Sequence, residues 1–189
     1  MTSTTDNLTA QKNALLPLLR ASREAFLSSF SGISENEAHV RPGQDRWSIL
    51  DCVEHICASE TKLFSLLSGP RRPRQDGAPN REEVFLAVAA NRSRKLEAPE
   101  TGRPIGRFAT LAEARARFEA VRESVISFVE RNQEDLRTTE VTHPHVVAGD
   151  VSAYELVILI ARHAERHIAQ IDEIKGQMAV HANTAAMRS

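Results

Sequence analysis

The chain has 189 residues, with 24 Lys+Arg against 25 Asp+Glu and a formal net charge of −1. It is 41% hydrophobic and 26% charged, too apolar for general disorder and too balanced for a dedicated nucleic-acid binder. One domain with its own core is expected over residues 1–189, with frayed ends at about 1–7 and 179–189.

Helical periodicity dominates, and no convincing alternating run marks a strand. The first predicted helix runs from about Leu8 to Phe30 on Leu15, Leu18, Leu19, Phe26, Leu27 and Phe30. Pro17 should kink it or mark a late start. A polar connection follows over Ser34–Arg46, with a Pro42-Gly43 turn signal. The second helix should start at Ser48, where Ser48-Ile-Leu-Asp51 reads as a capping box with Asp in place of Glu. It stops at Ser68-Gly69-Pro70, and Arg71–Pro79 reads as a loop. A shorter helix is expected over Asn80–Leu96, inside a long crossover kept open by Pro99, Gly102, Pro104 and Gly106. Thr110-Leu-Ala-Glu113 and Ser152-Ala-Tyr-Glu155 are capping boxes that open the last two long helices, to about Arg131 and Gly176. The expected fold is all-α: a four-helix bundle with a long crossover carrying an extra short helix.

Cys52 and Cys57 stand i,i+5 within one predicted helix and make no disulfide framework. The opening residues lack the basic-then-apolar layout of a secretory signal. The longest apolar stretch, near Leu156–Ala161, falls far short of the roughly 20 residues of a membrane span. The expectation is a cytoplasmic protein without a membrane or nucleic-acid partner.

Seven histidines stand against one Trp and one Tyr. Two of them, His163 and His167, are at i,i+4 on the last helix and share one face. That spacing lets two imidazoles converge on one metal at roughly 2.0–2.1 Å. The same face is apolar, with Leu156, Ile160, Ile171 and Ile174, so the rings need partners inside the bundle. A metal supplies them; buried acids, carbonyls or water do so equally well. The Ala164-Glu165-Arg166 spacer excludes the HExxH pattern. A third ligand is open among Cys52, His55, Cys57 and Glu60 of the second helix. His55 lies off the centre of that helix's apolar stripe, which is the usual place of a surface or boundary histidine. Glu60 lies inside the stripe, as a ligand, a proton acceptor, a partner for a ligand's second nitrogen, or half of a buried ion pair with an Arg.

Trp47-Ser-Ile-Leu-Asp-Cys-Val-Glu-His55-Ile, followed by Glu60, resembles the second-helix signature of the DinB-like superfamily, a damage-inducible four-helix-bundle family. Val157-Ile-Leu-Ile-Ala-Arg-His163-Ala-Glu-Arg-His167-Ile-Ala-Gln170-Ile resembles its last-helix signature, and Thr142–Ser152 resembles the loop before it. The resemblance implies one divalent metal bound by His55, His163 and His167, with an open position. Zinc or nickel suits imidazole ligands best, with iron or manganese possible. It further implies an enzyme similar to the bacillithiol S-transferase-like members: transfer of a small cellular thiol to an electrophile. A metal-dependent hydrolase is the alternative, and a non-catalytic metal-binding or dimerising bundle is the third. The Leu- and Phe-rich first helix is the expected face of a homodimer. His143 and His145 are candidate proton donors at the site mouth, and Gln170 is a candidate for orienting a ligand. Nine Lys/Arg against five Asp/Glu between Arg71 and Arg107 offer an attraction for a carboxylate-bearing thiol, unless they form a solvated basic loop.

Overall fold

A computed structural model describes residues 4–88, 98, 100–143 and 149–186. The first helix, α1 (Thr4–Ser29), continues through Pro17. Its Leu15, Leu19, Phe26 and Leu27 are buried within this chain and belong to its core. A short α2 (Glu35–His39) follows where a plain connection was expected. Ser34 and Glu37 close a capping box there, but five residues are too few to show a periodic pattern.

The second long helix, α3 (Ile49–Ser68), starts at the predicted cap. Ser48 Oγ accepts the Asp51 N–H at 3.1 Å, and the Asp51 carboxylate accepts the Ser48 N–H at 2.9 Å. The crossover carries β1 (Arg72–Pro73), α4 (Glu82–Val88) and a 3₁₀ turn at Glu100–Gly102. The short helix expected to reach Leu96 is therefore seen to Val88, and residues 89–97 lie outside the described residues. Thr110 caps α5 (Leu111–Arg131) by accepting the Glu113 N–H. The Glu113 carboxylate takes the Ala109 N–H instead of the cap's own.

Between α5 and the last helix run β2 (Thr139–Thr142) and β3 (Asp150–Ser152). The strands form an antiparallel sheet in the order β1-β2-β3, with Arg72 opposite Glu140 and Val141 opposite Val151. This corrects the reading that no strand is present: pieces of two to four residues are too short to alternate legibly. Ser152 and Glu155 then close the predicted capping box and open α6 (Ala153–Ala186), which continues well past Gly176.

The all-α bundle is built from α1, α3, α5 and α6. Helix α1 packs on α5 and α6, and α3 packs on the same two. The core has two apolar halves. One gathers Leu19, Leu67, Val125, Leu156 and Ile160; the other gathers Phe26, Ile49, Val53, Phe118 and Ile171. Between them lies a polar layer of Ser22, Glu60 and Arg122, all buried. The fully buried Arg122 guanidinium donates to both Glu60 oxygens, to Ser22 Oγ at 2.6 Å and to the Leu19 carbonyl at 3.1 Å. No described helix is long and apolar enough to cross a membrane.

Candidate metal centre

The Ser48 cap fixes where α3 begins, and His55 follows two turns later. The Ser152–Glu155 box fixes the start of α6, and His163 and His167 follow on one face. Because α3 packs on α6, the three rings meet. The Nε2 atoms of His55 and His163 are 3.2 Å apart, as are those of His163 and His167, and the three candidate donor atoms lie within 4.8 Å of one another. Two nitrogens at about 2.05 Å from one ion, at a tetrahedral angle, stand about 3.3 Å apart. The spacing fits.

Proton bookkeeping favours a cation as well. The Gly102 carbonyl lies 2.6 Å from His55 Nδ1 and can only accept, so the ring's proton sits on Nδ1. His55 Nε2 then presents a lone pair to the cluster. His163 Nε2 faces two ring nitrogens, and one proton on it points at only one of them. A cation placed among the three satisfies all of them together.

His55 and His167 are 3% and 5% exposed, whereas His163 is half-buried and gives the cluster its solvent side. Burial pushes the His163 pKa well below its ordinary value, and His55, Arg166, His143 and Arg122 push it the same way. Burial also lowers His55, against the Gly102 hydrogen bond, which raises it; Arg107 adds to the lowering. Neutral rings are the form that binds metal. Trp47 roofs the cluster: its ring stacks near-parallel on His167 at 6.0 Å and tilts over His55 at 4.9 Å.

The deep burial of His55 reverses the boundary position that its place off the stripe implied. Helix α3 is buried on all sides from Ile49 to Cys57, because the 3₁₀ turn of the crossover covers the face that periodicity left to solvent. The other third-ligand candidates are placed elsewhere. Glu60 carries the buried ion pair with Arg122, so both oxygens are engaged and it is not available as a base. Burial and the neighbouring Glu60 push the Cys57 thiol up to about 12, and its Sγ donates to the Ala114 carbonyl at 3.3 Å. Cys52 is buried in the apolar core half.

His143, half-buried at the end of β2, is close enough to contribute to the lowered His163 pKa. His145 lies outside the described residues. Gln170 is half-buried on α6, beyond His167. The basic crossover is not a free cationic field among the described residues. Arg71 pairs with Glu134, Arg72 with Glu140 and Asp150, Arg74 with Glu155, and Arg107 with Glu54. Sequence reasoning missed Gly102 and Glu54. Gly102 reads only as a loop breaker, and Glu54 as one more acid on a helix, until the crossover is folded onto α3.

The chain is 25% identical over 150 residues to the uncharacterized protein YuaE of Bacillus subtilis (strain 168), a match covering 78% of this chain and 89% of YuaE. Its fold is similar to that of YfiT from Bacillus subtilis, with a TM-score of 0.56 at 12% identity, covering 95% of this chain and 91% of YfiT. YfiT is described as a probable metal-dependent hydrolase with an unusual four-helix bundle topology. The DinB superfamily pattern matches residues 18–171, a span that contains His55, His163 and His167. With that span and that bundle, the chain belongs to the DinB superfamily.

Proposed function

We propose that this protein is a divalent-metal-dependent enzyme in which His55, His163 and His167 hold the ion. In this reading it transfers a small cellular thiol to an electrophilic substrate. The observation that carries it is the convergence of three ring nitrogens, two of the pairs at 3.2 Å, with the His163 ring only partly covered. A divalent ion held there lowers the pKa of a bound thiol or water and offers an open position to it. Zinc or nickel suits three imidazoles best, and iron or manganese is compatible with them.

The chain's own groups favour a thiol over water. Attack by water profits from a carboxylate base, yet Asp51, Glu54 and Glu60, the three buried acids of α3, are all engaged elsewhere, Asp51 by Arg41 and the Ser48 N–H. A thiol starts nearer to ionisation, with an ordinary pKa of about 8.5, and needs less help. Three neutral ligands also leave the ion's full charge to attract an anionic sulfur. The Gly102 carbonyl holds the His55 ring in its tautomer, and Trp47 shields His55 and His167 from water. His143, whose charge bears on His163, is proposed to hold or move a proton beside the cluster, and Gln170 to steady a ligand ring. Hydrolysis is the second reading, favoured by the description of YfiT.

The test uses protein purified without a histidine tag. Elemental analysis should find about one divalent ion per chain, and His163→Ala should lose it. The loaded protein should accelerate conjugation of small thiols to chromogenic electrophiles, and the variant should not. Failure to bind zinc, nickel, iron or manganese overturns both enzyme readings. Metal-dependent ester or amide cleavage without thiol conjugation selects the hydrolase.

A further inference from the structure

Glu54 precedes His55 and points into the crossover, not into the metal centre. Its carboxylate is 1% exposed and accepts three successive backbone N–H groups, from Ile105 at 2.7 Å, Gly106 at 3.1 Å and Arg107 at 3.0 Å. The Arg107 guanidinium adds a fourth donor at 2.7 Å. Consecutive N–H groups converging on one anion form a nest, and Gly106, at φ 78°, supplies the left-handed residue it needs. The chain has filled this anion site with its own side chain.

The nest begins three residues after Gly102, whose carbonyl accepts the His55 Nδ1 proton at 2.6 Å. One short loop thus touches two consecutive residues of α3: Glu54 fastens it, and His55 is oriented by it. Gly102 lies in van der Waals reach of the same ring, since a Cβ there would sit 3.4 Å from His55 Cε1 and from Ser59 Oγ.

We propose that Glu54 is a positioning residue for the metal centre. It pins the Arg103–Arg107 loop so that the Gly102 carbonyl locks His55 in the Nδ1–H tautomer with Nε2 free toward His163 and His167. Glu54 contacts no metal and takes no proton in the reaction. The inference rests on the proposed metal reading for its functional consequence, but its structural half stands on the metal-free protein. Outer partners that orient ligand imidazoles typically change metal affinity by roughly 10- to 100-fold when removed.

The experiment compares wild type, Glu54→Gln and Arg107→Ala by two readouts. Long-range ¹H–¹⁵N NMR of the metal-free proteins reports the tautomer of His55, and cobalt titration against a competing chelator reports affinity. Wild type should show His55 as the Nδ1–H form. Glu54→Gln should show a tautomer mixture and a cobalt Kd raised roughly tenfold or more, with helical circular dichroism unchanged. Arg107→Ala, which removes one exposed donor and leaves the backbone nest, should show a smaller shift in the same direction. It serves as the measurement if Glu54→Gln does not fold. An unchanged tautomer and a cobalt Kd within twofold of wild type in the folded variants overturn the role of Glu54. A changed tautomer with no cobalt binding by wild type upholds the positioning role and overturns the metal reading instead.

Discussion

Cys57 and His55 stand two residues apart on α3, and their surroundings send them to opposite roles. Cys57 is enclosed by the apolar half that holds Phe118 and Ile56, and burial raises its thiol to about 12. A thiol so raised is a poor ligand and a poor nucleophile, since both tasks need the thiolate. Cys57, and Cys52 at 0% exposed, should stay silent to an aromatic disulfide reagent at pH 8 in the folded protein. Both should react on denaturation; rapid labelling of the native state would show that the pocket opens. Trp47 supplies a second residue-scale check. It is the one tryptophan of the chain and lies against two of the three rings. Cobalt or nickel bound by those rings should quench its fluorescence in step with occupancy, and His167→Ala should remove the effect. Saturation of the site with no change in emission would contradict this placement.

Among the elements, the N-terminus of α6 carries the most demanding join. Glu155 lies one turn inside the helix and closes the capping box with Ser152. The same carboxylate accepts the Arg81 N–H at 2.7 Å and the Arg74 guanidinium at 3.0 and 3.3 Å. One side chain thus ties the crossover to the helix that bears His163 and His167. Burial would raise its pKa, but the bonds from Arg74, Ser152 and Arg81 outweigh it and hold the carboxyl below the ordinary 4.5. The folded form therefore binds the proton more weakly than the unfolded chain. Its contribution is full above pH of about 4.5 and drains away as pH falls through the lower folded value. Glu155→Gln should cost about 2 kcal/mol at pH 7, as for a hydrogen bond to a charged group. In urea denaturation the gap to wild type should narrow toward pH 3; a gap independent of pH would refute the assignment.

Across the whole molecule, the buried Ser22–Arg122–Glu60 layer ties three of the four long helices at mid-height. Removing one partner strands a charge in the core. Arg122→Ala should therefore destabilise by about 3–5 kcal/mol in thermal or urea unfolding. Replacing both charges together, as Glu60→Leu with Arg122→Met, should recover most of that loss, because desolvation offsets much of what a buried pair contributes. Equal destabilisation by the double and single variants would mean that the layer sets helix register as well as satisfying charge. A metal held by the three histidines would add a second cross-link, between α3 and α6. At a free concentration of 100 times its Kd it should add about 2.7 kcal/mol to stability. The gain should be absent in His163→Ala.

The long helices were legible because each feature is local. Ser48, Thr110 and Ser152 mark starts that depend on atoms within one turn, and the apolar stripes repeat often enough to be counted. The i,i+4 pair of His163 and His167 was legible for the same reason, since helix geometry alone puts them on one face. The short strands escaped because four residues or fewer carry no period. Glu60 was recognisable as a buried acid, but its partner, 62 positions away on α5, was not. His55 shows the boundary most clearly. Its own helix assigns it to the flank of the apolar stripe, and only resemblance brought it to the ligand set. Its tautomer comes from a crossover loop some 47 residues away, and its 3.2 Å approach to His163 comes from the packing of α3 on α6. By itself the sequence determined the helices, their caps and the two-histidine face, because those follow from interactions within a few residues. Only the tertiary structure decided the third histidine's place and orientation, because long-range packing and one distant carbonyl set which of its nitrogens faces the site.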